Sequence, residues 1–243
     1  MITLIQSIHA TGGEMAITVQ AELYRHRSAW QEIVVYDTPE FGRMLVIDGV
    51  VQVAESDHAV YDASLTQGVP SHGAPSVLVL GGGDGFVAQA VLDRNPAARL
   101  EIVDIDAAVV VTATQWFAQT VFSDPRVTVH VGDAQDYVEA VPSGTIDVVL
   151  VDLTDNPPCG EFDPQPWTAF YERLLAAVFR VLVPGGFVAV QAGSASAAPG
   201  RFDSARGLRL AVARTFSGVV EQAVLIPSFG EACLFLSAWK PLR

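Results

Sequence analysis

Cysteine is nearly absent from this chain. Cys159 and Cys233 are the two present in 243 residues. They are too few for a disulfide framework and are not spaced as metal ligands. Small disulfide-stapled scaffolds and zinc modules are thereby excluded, no metal is expected, and a reducing cytoplasm is the expected compartment. Long apolar runs are missing as well. None reaches the roughly 18 residues that a membrane-spanning helix needs, and the stretch from Met1 to Met15 has no basic segment leading into an apolar one. Neither a membrane span nor a signal peptide is expected. Basic residues are scarce: 14 Lys and Arg stand against 27 Asp and Glu, a formal net charge of −13. Nucleic acid is excluded as a partner, because its recognition requires a basic face. An acidic surface draws in a cationic substrate, although acidity that only keeps a protein soluble looks the same. Internal repeats are absent too.

Half of the residues are apolar and 17% are charged, which supports a packed core and argues against disorder. The length fits one large domain, or one domain with a small appendage. Residues 1–56 are expected to form a small antiparallel β unit. Its strands are ITVQAEL, WQEIVVYDT, RMLVIDG and VVQVAES, which show partial alternation of apolar and polar residues and are rich in β-branched side chains. They are separated by turn signals at Thr38-Pro39-Glu40 and Asp48-Gly49. Residues 57–243 read differently. A short helix over 57–67 is followed by strands at 76–80, 100–104, 127–131, 146–151 and 187–191, alternating with helices to about 95, over 107–120, after 133 and over 167–182. The last of these helices ends at Pro184-Gly185-Gly186. A helix over 203–216 and strands near 218–226 and 232–239 close the chain. Ala192 to Gly200 reads as a loop. Continuous apolar strands alternating with helices predict an α/β fold with a mostly parallel, Rossmann-like sheet covered on both faces.

Three features lie at the carboxyl ends of successive strands, where ligands bind in open α/β sheets. The first is Gly81-Gly82-Gly83-Asp84-Gly85, a tight turn that lets a ligand approach the backbone, or else a plain strand-to-helix turn. The second is Asp104, about 20 residues on, placed to accept both ribose hydroxyls of a nucleoside or to cap the following helix. The third is Gly132-Asp133-Ala134, where Asp133 would accept from an adenine amino group or serve as another cap. The glycine turn lacks the Gly-x-Gly-x-x-Gly spacing of dinucleotide binders. It also carries a carboxylate, Asp84, which would repel a pyrophosphate or the carboxylate of S-adenosylmethionine and attract a sulfonium or an ammonium. The expected ligand is a cationic adenosyl compound.

At this point the sequence resembles the spermidine synthase (polyamine aminopropyltransferase) family over nearly its whole length. Trp30-Gln31-Glu32-Ile33 is similar to the family's Tyr-Gln-x-Ile strand. Phe41 to Gln52 is similar to its Leu-x-Leu-Asp-Gly-x-x-Gln hairpin. Val77 to Gly85 carries its Gly-Gly-Gly-Asp-Gly loop. Asp104-Ile105-Asp106 sits at its Glu-Ile-Asp, and Asp152-Leu153-Thr154-Asp155-Asn156-Pro157 resembles its Asp-x-Ser/Thr-Asp-Pro segment. The resemblance implies an N-terminal β unit that mediates assembly, here a homodimer, followed by a class I methyltransferase-like Rossmann domain. It implies transfer of an aminopropyl group from decarboxylated S-adenosylmethionine to a small cationic amine, with release of 5′-methylthioadenosine and no permanently bound cofactor. S-adenosylmethionine itself is the alternative co-substrate, and the sequence also leaves open a methyltransferase or a non-catalytic relative on the same scaffold.

Such a displacement at a carbon beside sulfonium requires alignment of an amine and removal of its proton. Asp152 and Asp155 flank a turn at the end of a buried strand and are expected to point into one cleft, where close like charges raise a pKa; an Asx turn with a helix cap is the structural alternative. By resemblance, Asp152 is the base, Asp155 holds the amine, and Asp84 binds the amino end of the aminopropyl group. Gln52 and Tyr61 line the sulfonium side, and Gln31 contacts the nucleoside. Gly81, Gly83, Asp133 and Ala134 complete the nucleoside site.

The acceptor side departs from the family pattern. The Tyr-His/Gln-Glu triplet is Tyr61-Asp62-Ala63, so Asp62 can accept from an ammonium but cannot donate. The acidic residue expected before it is His58, read as a surface helix residue. The Ile-Pro-Thr-Tyr-Pro-Ser-Gly segment is Ile226-Pro227-Ser228-Phe229-Gly230, two residues shorter. Phe229 lacks the tyrosine hydroxyl, and Glu231 either supplies a new carboxylate or faces water.

Overall fold

The computed structural model describes residues 2–153, 164–198 and 203–242. The N-terminal part contains a hairpin of β1 (Ile2–Ser7) and β2 (Glu14–Val19), then a four-stranded antiparallel sheet of β3 (Ala21–Arg27), β4 (Glu32–Thr38), β5 (Gly42–Ile47) and β6 (Val50–Ala54). Helix α1 (His58–Thr66) leads into a Rossmann-like unit: β7 (Ser76–Gly81), α2 (Phe86–Arg94), β8 (Arg99–Asp104), α3 (Ala107–Trp116), β9 (Val127–Val131), α4 (Ala134–Ala140), β10 (Ile146–Asp152), α5 (Pro164–Val181), β11 (Leu182–Ser194), α6 (Ser204–Thr215), β12 (Ser217–Ile226) and β13 (Glu231–Trp239). Its seven strands lie in the order β12-β13-β11-β10-β7-β8-β9. Strands β7 to β11 are parallel, and β13 runs antiparallel to both of its neighbours.

The pleat explains how this sheet is covered. Leu78 and Leu80 of β7, with Val149 and Val151 of β10, face a core formed with α4, α5 and α6. The intervening Val77, Val79, Val148 and Leu150 face a second core with α1 and α2. Alternate side chains are thus apolar on both sides, which produces the uninterrupted apolar runs seen in the sequence.

Four expectations are corrected. ITVQAEL is not one strand: the chain breaks at Gln20 and its halves join different sheets, β2 pairing with β1 and β3 with β4. The β1–β2 hairpin packs Ile17 and Val19 on one face of β4 and β5, while Ile33, Val35 and Leu45 on the other face meet Val109 and Phe117 beside α3. Strand β4 is therefore buried on both faces, and its alternation is lost for that reason. Helix α3 ends at Trp116, short of Thr120, since Ala118 takes a positive φ of 52°. Strand β11 is longer than 187–191 and runs through Pro184-Gly185-Gly186, which lies after the helix end rather than at it.

Candidate active site

The parallel strands change direction of progression between β7 and β10. The chain winds outward from β7 through β8 to β9, then crosses back to place β10 on the other side of β7. Ligands bind at such a switch point because the two loops leaving it diverge and open a crevice. Gly81 and Asp152 are register partners there. Backbone proximity excludes any side chain at Gly81, where a Cβ would lie 2.0 Å from the Asp152 carbonyl oxygen, and φ is +85°. At Gly83 a Cβ would stand 2.4 Å from Asp104 Oδ2. The turn after β7 is thus wedged between the ends of β8 and β10, and Gly81 and Gly83 are required by contact with Asp152 and Asp104.

Asp104 accepts from the Gly83 N–H at 2.9 Å through Oδ2 and from the Asp106 N–H at 2.9 Å through Oδ1. It does not cap α3; Asp106 does, accepting from the Ala108 N–H at 3.0 Å. Burial pushes the Asp104 carboxyl above the usual range, against the pull of those two N–H groups. Asp106 also accepts from Ser28 Oγ at 2.6 Å, and Ser28 Oγ in turn accepts from the Gln31 N–H at 3.1 Å. That bridge brings the turn carrying Gln31 to the end of β8, on the Asp104 side. Asp133 caps α4, accepting from the N–H groups of Gln135 at 2.7 Å and Asp136 at 3.0 Å. Its structural reading is realised, and Ala134 behind it is buried.

On the other side of the turn, Asp84 bonds the Phe86 N–H at 3.0 Å. Its carboxyl lies well above the usual carboxylate range, first because of burial and second because of the Asp152 carboxylate, with Asp62 and Asp104 adding to the repulsion. Tyr61 donates its hydroxyl to Asp152 Oδ1. The Tyr61 ring is held edge-on by Phe235, with centroids 5.1 Å apart, and by Phe229 at 6.2 Å. Gln52 lies on β6, half-buried, with its amide bonded to the Val50 carbonyl at 3.3 Å. The site therefore has one end at Asp104 and Gln31 and a second, acidic end, where Asp84, Asp152 and Tyr61 converge. Asp155 and Cys159 lie outside the described residues. Among the described residues, Asp152 is the acid that bears most strongly on Asp84.

Asp62 and Glu231 are placed differently from the expectation. Asp62 is 5% exposed and its Oδ2 meets His58 Nδ1 at 2.7 Å. Burial raises its pKa while His58 opposes the rise. His58 is not a plain surface residue: its ring stacks against Phe86 with centroids 4.0 Å apart. The pair opens onto a groove of about 310 Å³ between α1 and α2, lined also by Phe86, Gln89, Asp93 and Arg94. Glu231 is half-buried, and its carboxylate is already engaged by three donors from the protein itself. Sequence reasoning missed Asp57, which is buried and accepts from the N–H and hydroxyl of Ser228. It also missed Gln191, buried within β11, whose Oε1 has no hydrogen-bond partner among the described residues. A polar residue directly after the apolar run Phe187 to Val190 was the available signal. Among the described residues, no group of three or more His, Cys, Asp or Glu is placed to hold a metal ion, and no helix is long and apolar enough to cross a membrane.

Residues 61–242 match the family model described as the spermine/spermidine synthase domain, and residues 4–55 match the one described as the spermidine synthase tetramerisation domain. The chain belongs to the spermine/spermidine synthase family. Among its relatives, the polyamine aminopropyltransferase of Pyrobaculum neutrophilum is 34% identical over 243 residues, covering 97% of this chain and 80% of the relative. Spermidine synthase 2 of Datura stramonium is 35% identical over 189 residues, 75% of this chain. The chain spans 57% of the length of that plant relative and 59% of spermidine synthase 2 of Hyoscyamus niger. The Rossmann-like fold is shared with solved spermidine synthases. One, in complex with the transition-state analogue AdoDATO, superposes with a TM-score of 0.84 at 22% identity, covering 100% of this chain and 81% of that one. The enzyme from Thermotoga maritima gives 0.83 at 20% identity, with the same coverage.

Proposed function

We propose that this member of the spermidine synthase family transfers the aminopropyl group of decarboxylated S-adenosylmethionine to a di- or polyamine, releasing 5′-methylthioadenosine. The observation that carries the reading is the position of Asp84. A carboxylate lies in the glycine turn, facing Asp152 at the sheet's switch point, where the amino-acid end of an adenosyl ligand would extend. An ammonium there relieves the repulsion between the two acids, whereas the carboxylate of S-adenosylmethionine would add a third negative charge.

In this reading Asp104 and Gln31 hold the ribose side, and Asp133, Ala134 and the backbone of Gly81 and Gly83 border the base and ribose. Asp84 takes the terminal ammonium, and Gln52 and Tyr61 line the sulfonium. The acceptor nitrogen attacks the carbon beside sulfur. A C–N bond forms, the C–S bond breaks, and its electron pair neutralises the sulfonium to a thioether. Asp152 accepts the proton that the amine must lose, in a geometry fixed by the Tyr61 hydroxyl. Asp155 completes the amine site, Phe229 forms its apolar wall and Gln191 offers a buried amide oxygen. Asp62, tied to His58, contributes charge rather than a direct contact. The β unit of residues 1–56 serves assembly, as a dimer or a tetramer built from it, and residues 57–243 carry the chemistry.

Asp152→Asn keeps an oxygen for the Tyr61 hydroxyl but no basic site. It should lower 5′-methylthioadenosine release by about 100-fold or more and leave calorimetric affinity for decarboxylated S-adenosylmethionine nearly unchanged. Turnover close to that of the parent would remove Asp152 as the base.

A further inference from the structure

Glu231 opens β13, directly after the short acceptor-side segment, and its carboxylate reaches across 222 positions of sequence. Oε1 accepts from the His9 N–H at 3.1 Å, and Oε2 accepts from the Ala10 N–H at 2.7 Å and from Ser194 Oγ at 2.7 Å. His9 and Ala10 form the turn of the β1–β2 hairpin. That turn is tied a second time, since the His9 carbonyl accepts from the Ala198 N–H at 3.1 Å. The hairpin also sits down on Gly230, where a Cβ would be 3.2 Å from Met15 Sδ and 3.4 Å from Ile8. One carboxylate thus joins three separate pieces of chain: the hairpin turn, the end of β11 and the start of β13.

Phe229 lies between two such clamps. On its N-terminal side, Ser228 is fully buried and donates both its N–H, at 2.7 Å, and its hydroxyl, at 3.0 Å, to Asp57. On its C-terminal side stands Glu231. Phe229 packs against both the core beneath the hairpin and the core beneath Tyr61. Hydrogen bonds to an ionised carboxylate are the strong ones, and several converging on one group fix its surroundings. We infer that Glu231 is a positioning residue for the acceptor amine: it locks the N-terminal hairpin onto the Phe229 wall and so sets the acceptor side of the cleft without touching substrate. This rests on the aminopropyl-transfer reading. It also accounts for a wall two residues shorter than the family pattern, because the hairpin turn, held by Glu231, stands against the shortened segment.

The test is steady-state kinetics of the full chain with decarboxylated S-adenosylmethionine and with putrescine or spermidine as acceptor. Variants are Glu231→Ala, Glu231→Gln and Ser194→Ala. Glu231→Ala should raise KM for the amine about tenfold or more, while KM for the adenosyl substrate and calorimetric affinity for 5′-methylthioadenosine move less than about twofold. Glu231→Gln, which keeps an oxygen for an N–H, and Ser194→Ala, which removes one of the three donors, should fall between. They carry the test if the alanine variant does not fold. A merely structural role would lower the amount of active enzyme and leave both KM values alone. Unchanged amine KM, or equal rises for amine and adenosyl substrate, overturns the proposal. An inactive parent enzyme with both amines overturns the aminopropyl-transfer reading itself, and the inference with it.

Discussion

Asp84 and Asp152 repel one another across the turn after β7, and burial together with that repulsion holds the Asp84 carboxyl well above its ordinary value. A raised carboxyl pKa means that the folded state binds a proton more tightly than the unfolded chain does. Stability is therefore lost as pH rises from the unfolded value toward and through the folded one, and the cost persists at neutral pH. Asp84→Asn removes that charge at constant shape. It should raise the melting temperature of the ligand-free protein at pH 7, at about 2–4 °C per kcal/mol for a chain of this size, and should lose the gain on approaching pH 4. The same variant should lose affinity for cationic adenosyl ligands. A melting temperature that falls at pH 7 would show that Asp84 is not under electrostatic strain.

Ligand binding should carry a matching proton signature. An ammonium beside Asp84 favours its ionised form, so binding releases a proton wherever the free enzyme holds one there. Affinity for decarboxylated S-adenosylmethionine should rise with pH through the raised Asp84 range and then level off. Calorimetry in buffers of different ionisation enthalpy checks this, and proton uptake on binding would contradict it.

Tyr61 is expected to act through Asp152. Tyr61→Phe keeps the ring between Phe229 and Phe235 but removes the donor to Asp152 Oδ1. It should lower kcat by about tenfold, the scale of one lost hydrogen bond to a charged group. Affinity for 5′-methylthioadenosine should change little. A loss confined to KM for the adenosyl substrate would move Tyr61 from the base to the binding surface.

Gly83 tests the proposed nucleoside contact of Asp104. A methyl group there meets Asp104 Oδ2 at 2.4 Å. Gly83→Ala must displace either the turn or the carboxylate, and adenosyl affinity should fall by at least about tenfold, roughly 1.4 kcal/mol. Unchanged binding would mean that Asp104 does not hold the nucleoside.

Much of this architecture was legible because it rests on local rules. The switch from strands to alternating strands and helices near residue 57, the glycine turn after Leu80 and the acids at the strand ends follow from periodicity and turn chemistry. What failed was decided by tertiary contact. ITVQAEL looked like one strand because nothing in its seven residues reveals that β2 and β3 serve different sheets. The first strand, Ile2–Ser7, went unread because its pairing partner lies beyond a six-residue turn. Asp104 and Asp106 are equivalent as cap candidates in sequence, and only the approach of Gly83 and Ser28 separates them. Glu231 is the clearest case: its donors His9 and Ala10 are backbone groups more than 200 positions away, which no side-chain pattern encodes. Asp155, the expected partner of Asp152, lies outside the described residues, while the turn after β7 brings Asp84 to Asp152, a neighbour that no local pattern encodes.

The proposed function places Asp84 where the amino-acid end of the ligand would extend. It is tested most directly by calorimetric binding of decarboxylated S-adenosylmethionine against S-adenosylmethionine to the same protein. The decarboxylated form should be preferred by about tenfold or more, and the preference should collapse in Asp84→Asn. Equal or reversed affinities would contradict it and place the carboxylate of Asp84 away from the ligand.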